Sequence, residues 1–177
     1  MLALTLAGTA LAAAASADPA AAAPARAPRA HAAQVAAALR TSPQLWSTID
    51  VCNPPDQRYT IGIRGSMPGD GSAHDSMYMR FRLQHVDSVL RRWADLANAA
   101  SHFIAVGSSG FGREGGVSFT LYMPPRGTSY MLRGVVTFQW RHGSRVLGEL
   151  SRPTRSGHPD RTGSDPRNYS AATCRIG

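Results

Sequence analysis

Ser129-Tyr130-Met131-Leu132-Arg133-Gly134-Val135-Val136-Thr137-Phe138-Gln139-Trp140-Arg141 is the stretch from which the rest of the chain can be read. Tyr130, Leu132, Gly134, Val136, Phe138 and Trp140 recur at every second position, while Arg133, Thr137, Gln139 and Arg141 fall between them. Successive side chains on a strand point to opposite faces. The spacing therefore predicts one long β-strand with an apolar side to bury and a polar side left in water. His142-Gly143-Ser144 then supplies turn residues, and residues 145–151 return with Val146, Gly148 and Leu150, which predicts a hairpin.

The same alternation continues away from this strand. Tyr59, Ile61 and Ile63 point inward against Thr60 and Arg64; Met77, Met79, Phe81 and Leu83 against Tyr78, Arg80, Arg82 and Gln84; Val117, Phe119, Leu121 and Met123 against Ser118 and Thr120. Residues 45–52, 103–107 and 169–176 bring the total to about eight strands. Sheets with one wet face must bury the other against a partner, so the chain is expected to be an all-β sandwich of two antiparallel sheets. One segment departs from period two. Val86, Val89, Leu90, Trp93, Leu96, Ala97 and Ala100 recur at helical spacing behind a capping pair, Asp87-Ser88, and predict a short inserted helix over 87–100. The alternative is an irregular connection in which Trp93 plugs the edge of the core.

The chain has 177 residues, the size of one domain. Residues 1–15 form an apolar run too short to cross a bilayer, and Ala15-Ser16-Ala17 offers a small-x-small cleavage signal, so residues 1–17 read as a signal peptide. Residues 18–43 are mostly Ala, Pro and Arg and read as a disordered tether in which 31–40 can form an Ala-rich helix. The folded domain is then 44–177, and the protein is expected to be secreted or held at the cell envelope. Its two cysteines, Cys52 and Cys174, lack CxxC spacing and an adjacent histidine, and in an exported chain they predict a disulfide. Closing so long a loop is worth on the order of 4 kcal/mol by chain entropy. The bond is expected to join the first strand to the last rather than sheet to sheet.

Tyr130-Met131-Leu132 followed by Val136-Thr137-Phe138-Gln139-Trp140 resembles strand F of immunoglobulin and fibronectin type III domains. The resemblance implies an immunoglobulin-like sandwich over about residues 44–177, of the kind found as bacterial secreted modules. It also implies a corner in which the Tyr130 hydroxyl bonds an upstream backbone group. A cysteine pair at the family's strand B and F positions is absent here, as is a Trp within residues 77–83. The fold hosts adhesion, spacer, carbohydrate-binding and chaperone roles, so it selects none of them.

The formal charge is +8, yet all 19 basic residues are Arg, and the chain is rich in Ala, Gly and Pro. That is the mark of a high-GC genome, and without a basic run it argues against nucleic acid as a partner. Gly110-Phe111-Gly112-Arg113-Glu114-Gly115 fits GxGxxG but leads into alternating residues 117–123 rather than a helix that could hold phosphate. Gly107-Ser108-Ser109-Gly110 is no nucleophile elbow, and no local pattern assembles a Ser-His-Asp triad. No catalytic residue, cofactor or metal is expected. Met77 and Met79 read as core rather than copper ligands. Asp70-Gly71-Ser72-Ala73-His74-Asp75 reads as a solvated turn rather than a calcium loop. Tyr130, Trp140 and Trp93 are the expected structural aromatics. If the strands carrying Arg80 and Arg82 lie beside those carrying Arg133 and Arg141, these four and Tyr78 form one outward patch. Guanidinium groups fork carboxylate and phosphate, so such a patch suits an anionic cell-wall polymer or polysaccharide; the alternative is a solvated Arg-rich face, written by a Lys-free proteome, that binds nothing. The expected function is a non-catalytic binding or interaction module of the cell envelope. A ligand-free spacer is the alternative, and an extracellular hydrolase comes third.

Overall fold

The computed structural model describes residue 37 and residues 39–87, 89–158 and 161–177. The expected signal peptide, most of the expected tether, Ser88, Pro159 and Asp160 lie outside the described residues. Nine strands follow in order: β1 (Trp46–Cys52), β2 (Thr60–Met67), β3 (Ser76–Asp87), β4 (Arg92–Ala100), β5 (Ile104–Ser108), β6 (Arg113–Thr120), β7 (Tyr130–His142), β8 (Arg145–Pro153) and β9 (Cys174–Ile176). They form two antiparallel sheets. One has three strands in the order β1-β2-β6; the other has six, with β4-β3-β7-β8 as its path, β5 also on β3 and β9 also on β7.

The inward sets read from the sequence meet in one core. Ile49, Ile61, Ile63 and Met67 of the smaller sheet face Met77, Met79, Phe81, Leu83, Leu132, Val136, Phe138 and Trp140 of the larger, all of them buried. Met77 and Met79 pack into this core. Trp140 also satisfies its own polar atom by donating its indole N–H to the Pro68 carbonyl at 2.9 Å. The sheets approach closely where glycine removes a side chain: a Cβ at Gly134 would lie 2.7 Å from Ile63 Cδ1. Leu39 is buried in this core, so the packed unit reaches back past position 44.

Four expectations need correction. Residues 92–100 are a strand, not a helix. Asp87 Oδ1 accepts the backbone N–H groups of Val89 (2.9 Å) and Leu90 (2.8 Å), so the residue read as a helix cap closes a hairpin tip instead. β4 then pairs with β3 through Asp87↔Arg92 to Gln84↔Asp95 and, after a bulge, Arg82↔Ala100. The twelve residues of β3 offer a long row of backbone groups that must be paired, and that need outweighs a weak helical period. Val89 and Leu90 are left exposed at the tip.

The Cys52–Cys174 disulfide is present with a Cα–Cα distance of 5.7 Å, but it does link sheet to sheet, because β1 and β9 belong to different sheets. Met123 was expected to point inward and is 66% exposed, because β6 ends at Thr120. The smaller sheet keeps its expected wet face along β6, where Glu114, Gly116, Ser118 and Thr120 are exposed, but not over β1 and β2. His158 and residues 161–171 run back across these two strands: the His158 ring lies on Trp46 at 3.3 Å, Arg64 Nη1 donates to the Thr162 carbonyl at 2.7 Å, and the Thr48 and Ser170 hydroxyls bond at 2.8 Å. Thr60, expected outward, is buried and bonded to Thr120.

Candidate binding face

Among the described residues, no comparable segment covers the outer face of the larger sheet. β3 and β7 pair over ten residues, with Ser76↔Arg141, Tyr78↔Gln139, Arg80↔Thr137, Arg82↔Val135 and Gln84↔Arg133 among the partners. The condition set by the sequence is therefore met: Tyr78, Arg80, Arg82, Arg133 and Arg141 share one face of two adjacent strands. β4 and β8 widen it with Trp93, Asp95, Glu149 and Ser151.

The arginines are held by neighbours on the same face. The Arg141 guanidinium lies 4.2 Å from the Tyr78 ring centroid and 5.2 Å from that of Phe103, and Arg133 lies 4.5 Å from that of Trp93. Diagonal neighbours across a strand pair are within reach of long side chains, which is how Arg141 reaches Tyr78 from opposite Ser76. Two glutamines bridge cation to carboxylate. Arg133 Nε donates to Gln84 Oε1 at 2.8 Å, and Gln84 Nε2 donates to Asp95 Oδ1 at 2.7 Å. Arg82 Nη1 completes that cluster on Asp95 Oδ2 at 3.0 Å. In the second cluster Arg141 Nε donates to Gln139 Oε1, and Gln139 Nε2 donates to Glu149 Oε2. Arg80 Nε donates to the Ser101 carbonyl at 3.2 Å.

Arg80, Arg133 and Arg141 are thus each anchored through Nε, and their terminal nitrogens have no partner among the described residues. Partial burial lowers the Arg133 pKa, yet an arginine stays protonated under any physiological condition. Four guanidinium groups against Asp95 and Glu149 leave the face positive.

Phe103 was missed as a member of the face. It sits ahead of β5, and only the pairing of β5 with β3 brings it near Arg141. Trp93, expected in a helix or at the core edge, is a strand residue half-buried under Arg133. Trp140 is core, as expected of a structural aromatic. Tyr130 opens β7 and lines an apolar cleft with Leu96, Phe119 and Tyr122; its hydroxyl makes no hydrogen bond among the described residues, so the expected corner is not formed. Asp75 is not solvated: it is buried and its Oδ1 lies 2.6 Å from His142 Nδ1. Among the described residues no group of three His, Cys, Asp or Glu is placed to hold a metal ion.

No protein-family model matches this sequence, and no curated protein does. Among solved structures, a candidate beta-galactosidase from Bacteroides fragilis aligns at 12% identity with a TM-score of 0.33, covering 64% of this chain and 16% of its own. The sporulation control protein Spo0M from Bacillus subtilis aligns at 15% identity with a TM-score of 0.34, covering 62% of this chain and 47% of its own. The chain thus spans less than half the length of either, and likenesses this weak bear on neither fold nor function.

Proposed function

We propose that this is a non-catalytic binding module of the cell envelope whose outer six-stranded face takes an anionic polymer, an acidic polysaccharide or wall polymer. The observation that carries the reading is the side-on anchoring of Arg80, Arg133 and Arg141 through Nε. It leaves the paired terminal nitrogens open to fork a carboxylate or phosphate. Rings beneath Arg133 and Arg141 hold the guanidinium planes, so less side-chain freedom is lost when a ligand arrives. Export fits the disulfide, and no helix among the described residues is long and apolar enough to cross a membrane. The immunoglobulin-like assignment is part of the same proposal, supported by two antiparallel sheets joined by a disulfide between them.

Retention on an anionic-polymer column that carries no uronate, with a neutral-polymer column as control, tests it. Replacing Arg80, Arg82, Arg133 and Arg141 together by Ser should abolish selective retention; unchanged retention would exclude this face. A ligand-free spacer is the second reading, favoured by the internal pairing of Arg82 with Asp95 and of Gln139 with Glu149. It predicts no selective retention for either protein.

A further inference from the structure

A second and separate site lies at the edge where β1 meets β8. Ser47 Oγ donates to the Pro153 carbonyl at 3.1 Å, and the Arg155 N–H donates to the Ser47 carbonyl at 2.8 Å, so the two sheets are tied together there. Beside this seam is a cleft of about 200 Å³ walled by Leu45, Trp46, Ser47, Arg152, Pro153 and Arg155. Two arginines and, among the described residues, no Asp or Glu line it. The remaining walls are an indole, a proline, a leucine and a small hydroxyl.

The walls are fixed in different ways. Trp46 is held by the His158 ring, 3.3 Å away between centroids, and by the Arg64 guanidinium, 5.6 Å from its ring centroid. Arg152 spends one terminal nitrogen on the Arg40 carbonyl at 2.7 Å. Arg155 is exposed, its backbone is held, and its side chain has no partner among the described residues. Arg155 therefore brings an unpaired guanidinium, and Arg152 a partly paired one, to the residues bordering a cleft with apolar walls, which favours an anionic group there. A planar carboxylate presents two oxygens to that single fork, and the volume leaves room for a body about the size of one sugar ring.

We infer that the β1/β8 cleft binds a carboxylate carried on a sugar-sized body, a hexuronate unit, with Arg155 forking the carboxylate and Trp46 and Pro153 bordering the ring. The site shares no residue with the outer sheet face and does not rest on the function proposed for that face.

The test titrates the full chain with sodium glucuronate while the Trp46 indole N–H is followed by 1H–15N NMR, assigned with Trp46→Phe. A saturable shift is expected that glucose and sodium chloride at equal ionic strength do not reproduce. Arg155→Ser should weaken it about tenfold, the loss of one charge-assisted contact. Arg155→Lys, which keeps the charge but not the fork, should fall between. The quadruple Ser variant of the outer face should leave the shift unchanged. Absence of a saturable shift, an equal shift with sodium chloride, or no effect of Arg155→Ser overturns the site. Inorganic phosphate binding as tightly as glucuronate overturns the carboxylate assignment, and acetate doing so overturns the sugar-sized body. Glucuronate binding here in a protein that the anionic column does not retain would refute the outer face alone.

Discussion

The outer sides of the two sheets carry the same kind of sequence and end in opposite environments. Thr60 and Arg64 on β2 alternate with buried Ile61 and Ile63 just as Arg80 and Arg82 on β3 alternate with Met79, Phe81 and Leu83. Yet Arg64 lies under residues 161–171, beside Asp50 and Glu114 and bonded to the Thr162 carbonyl, with its side chain 15% exposed. Arg80 is open to solvent. Period two says that a residue points away from the core; it does not say whether another part of the chain will come to cover it. A covered arginine is structural, and an open, anchored one is free to meet a ligand.

Breaking the cover at its fixed end should have the largest effect. Replacing Cys52 and Cys174 by Ser releases β9 and the segment before it, and denaturant unfolding should show a loss of about 4–5 kcal/mol, the chain-entropy value for a loop this long. A midpoint unchanged within error would mean that residues 161–171 hold themselves in place. Trp140→Ala strikes the core shared by both sheets and should cost about 3–5 kcal/mol, cavity and lost Pro68 bond together. Gly134→Ala forces a methyl against Ile63 and Thr154 and should cost about 1–3 kcal/mol by overpacking; a neutral result would show slack between the sheets.

Asp50 sharpens the comparison through pH. Burial raises its pKa and outweighs the nearby Arg64, so the native state binds the proton more tightly than the unfolded chain does. Stability from this group is therefore lost as pH rises from the ordinary carboxylate value of 3.8 through the raised native value, and stays lost above it. Asp50→Asn should accordingly gain on the wild type across that window and hold the gain at neutral pH. Parallel stability-versus-pH curves would contradict this. On the open side, Arg141→Ser should cost less than about 1 kcal/mol, the size of an exposed cation–π contact, while shortening retention on the anionic column. A large stability loss there would make the outer face as structural as the covered one.

By itself the sequence determined which residues form the core and which strands carry them. Met77, Met79, Phe81 and Leu83, and Leu132, Val136, Phe138 and Trp140, are buried as their alternation requires. Strand geometry leaves a run of apolar residues at period two no other stable use. The cysteine pairing followed from there being only two. The patch of Tyr78 and four arginines was legible as a list of outward positions, but its unity depended on β3 lying beside β7. Tertiary structure alone decided the rest: that residues 92–100 pair with β3 instead of coiling, that Phe103 and Trp93 lie under arginines, that the disulfide crosses between sheets, and that the last loop covers one sheet and not the other. Each depends on contacts between residues far apart in the chain. Unpaired backbone and uncovered surface are satisfied by whichever segment the topology brings near, and local periodicity does not record which segment that is.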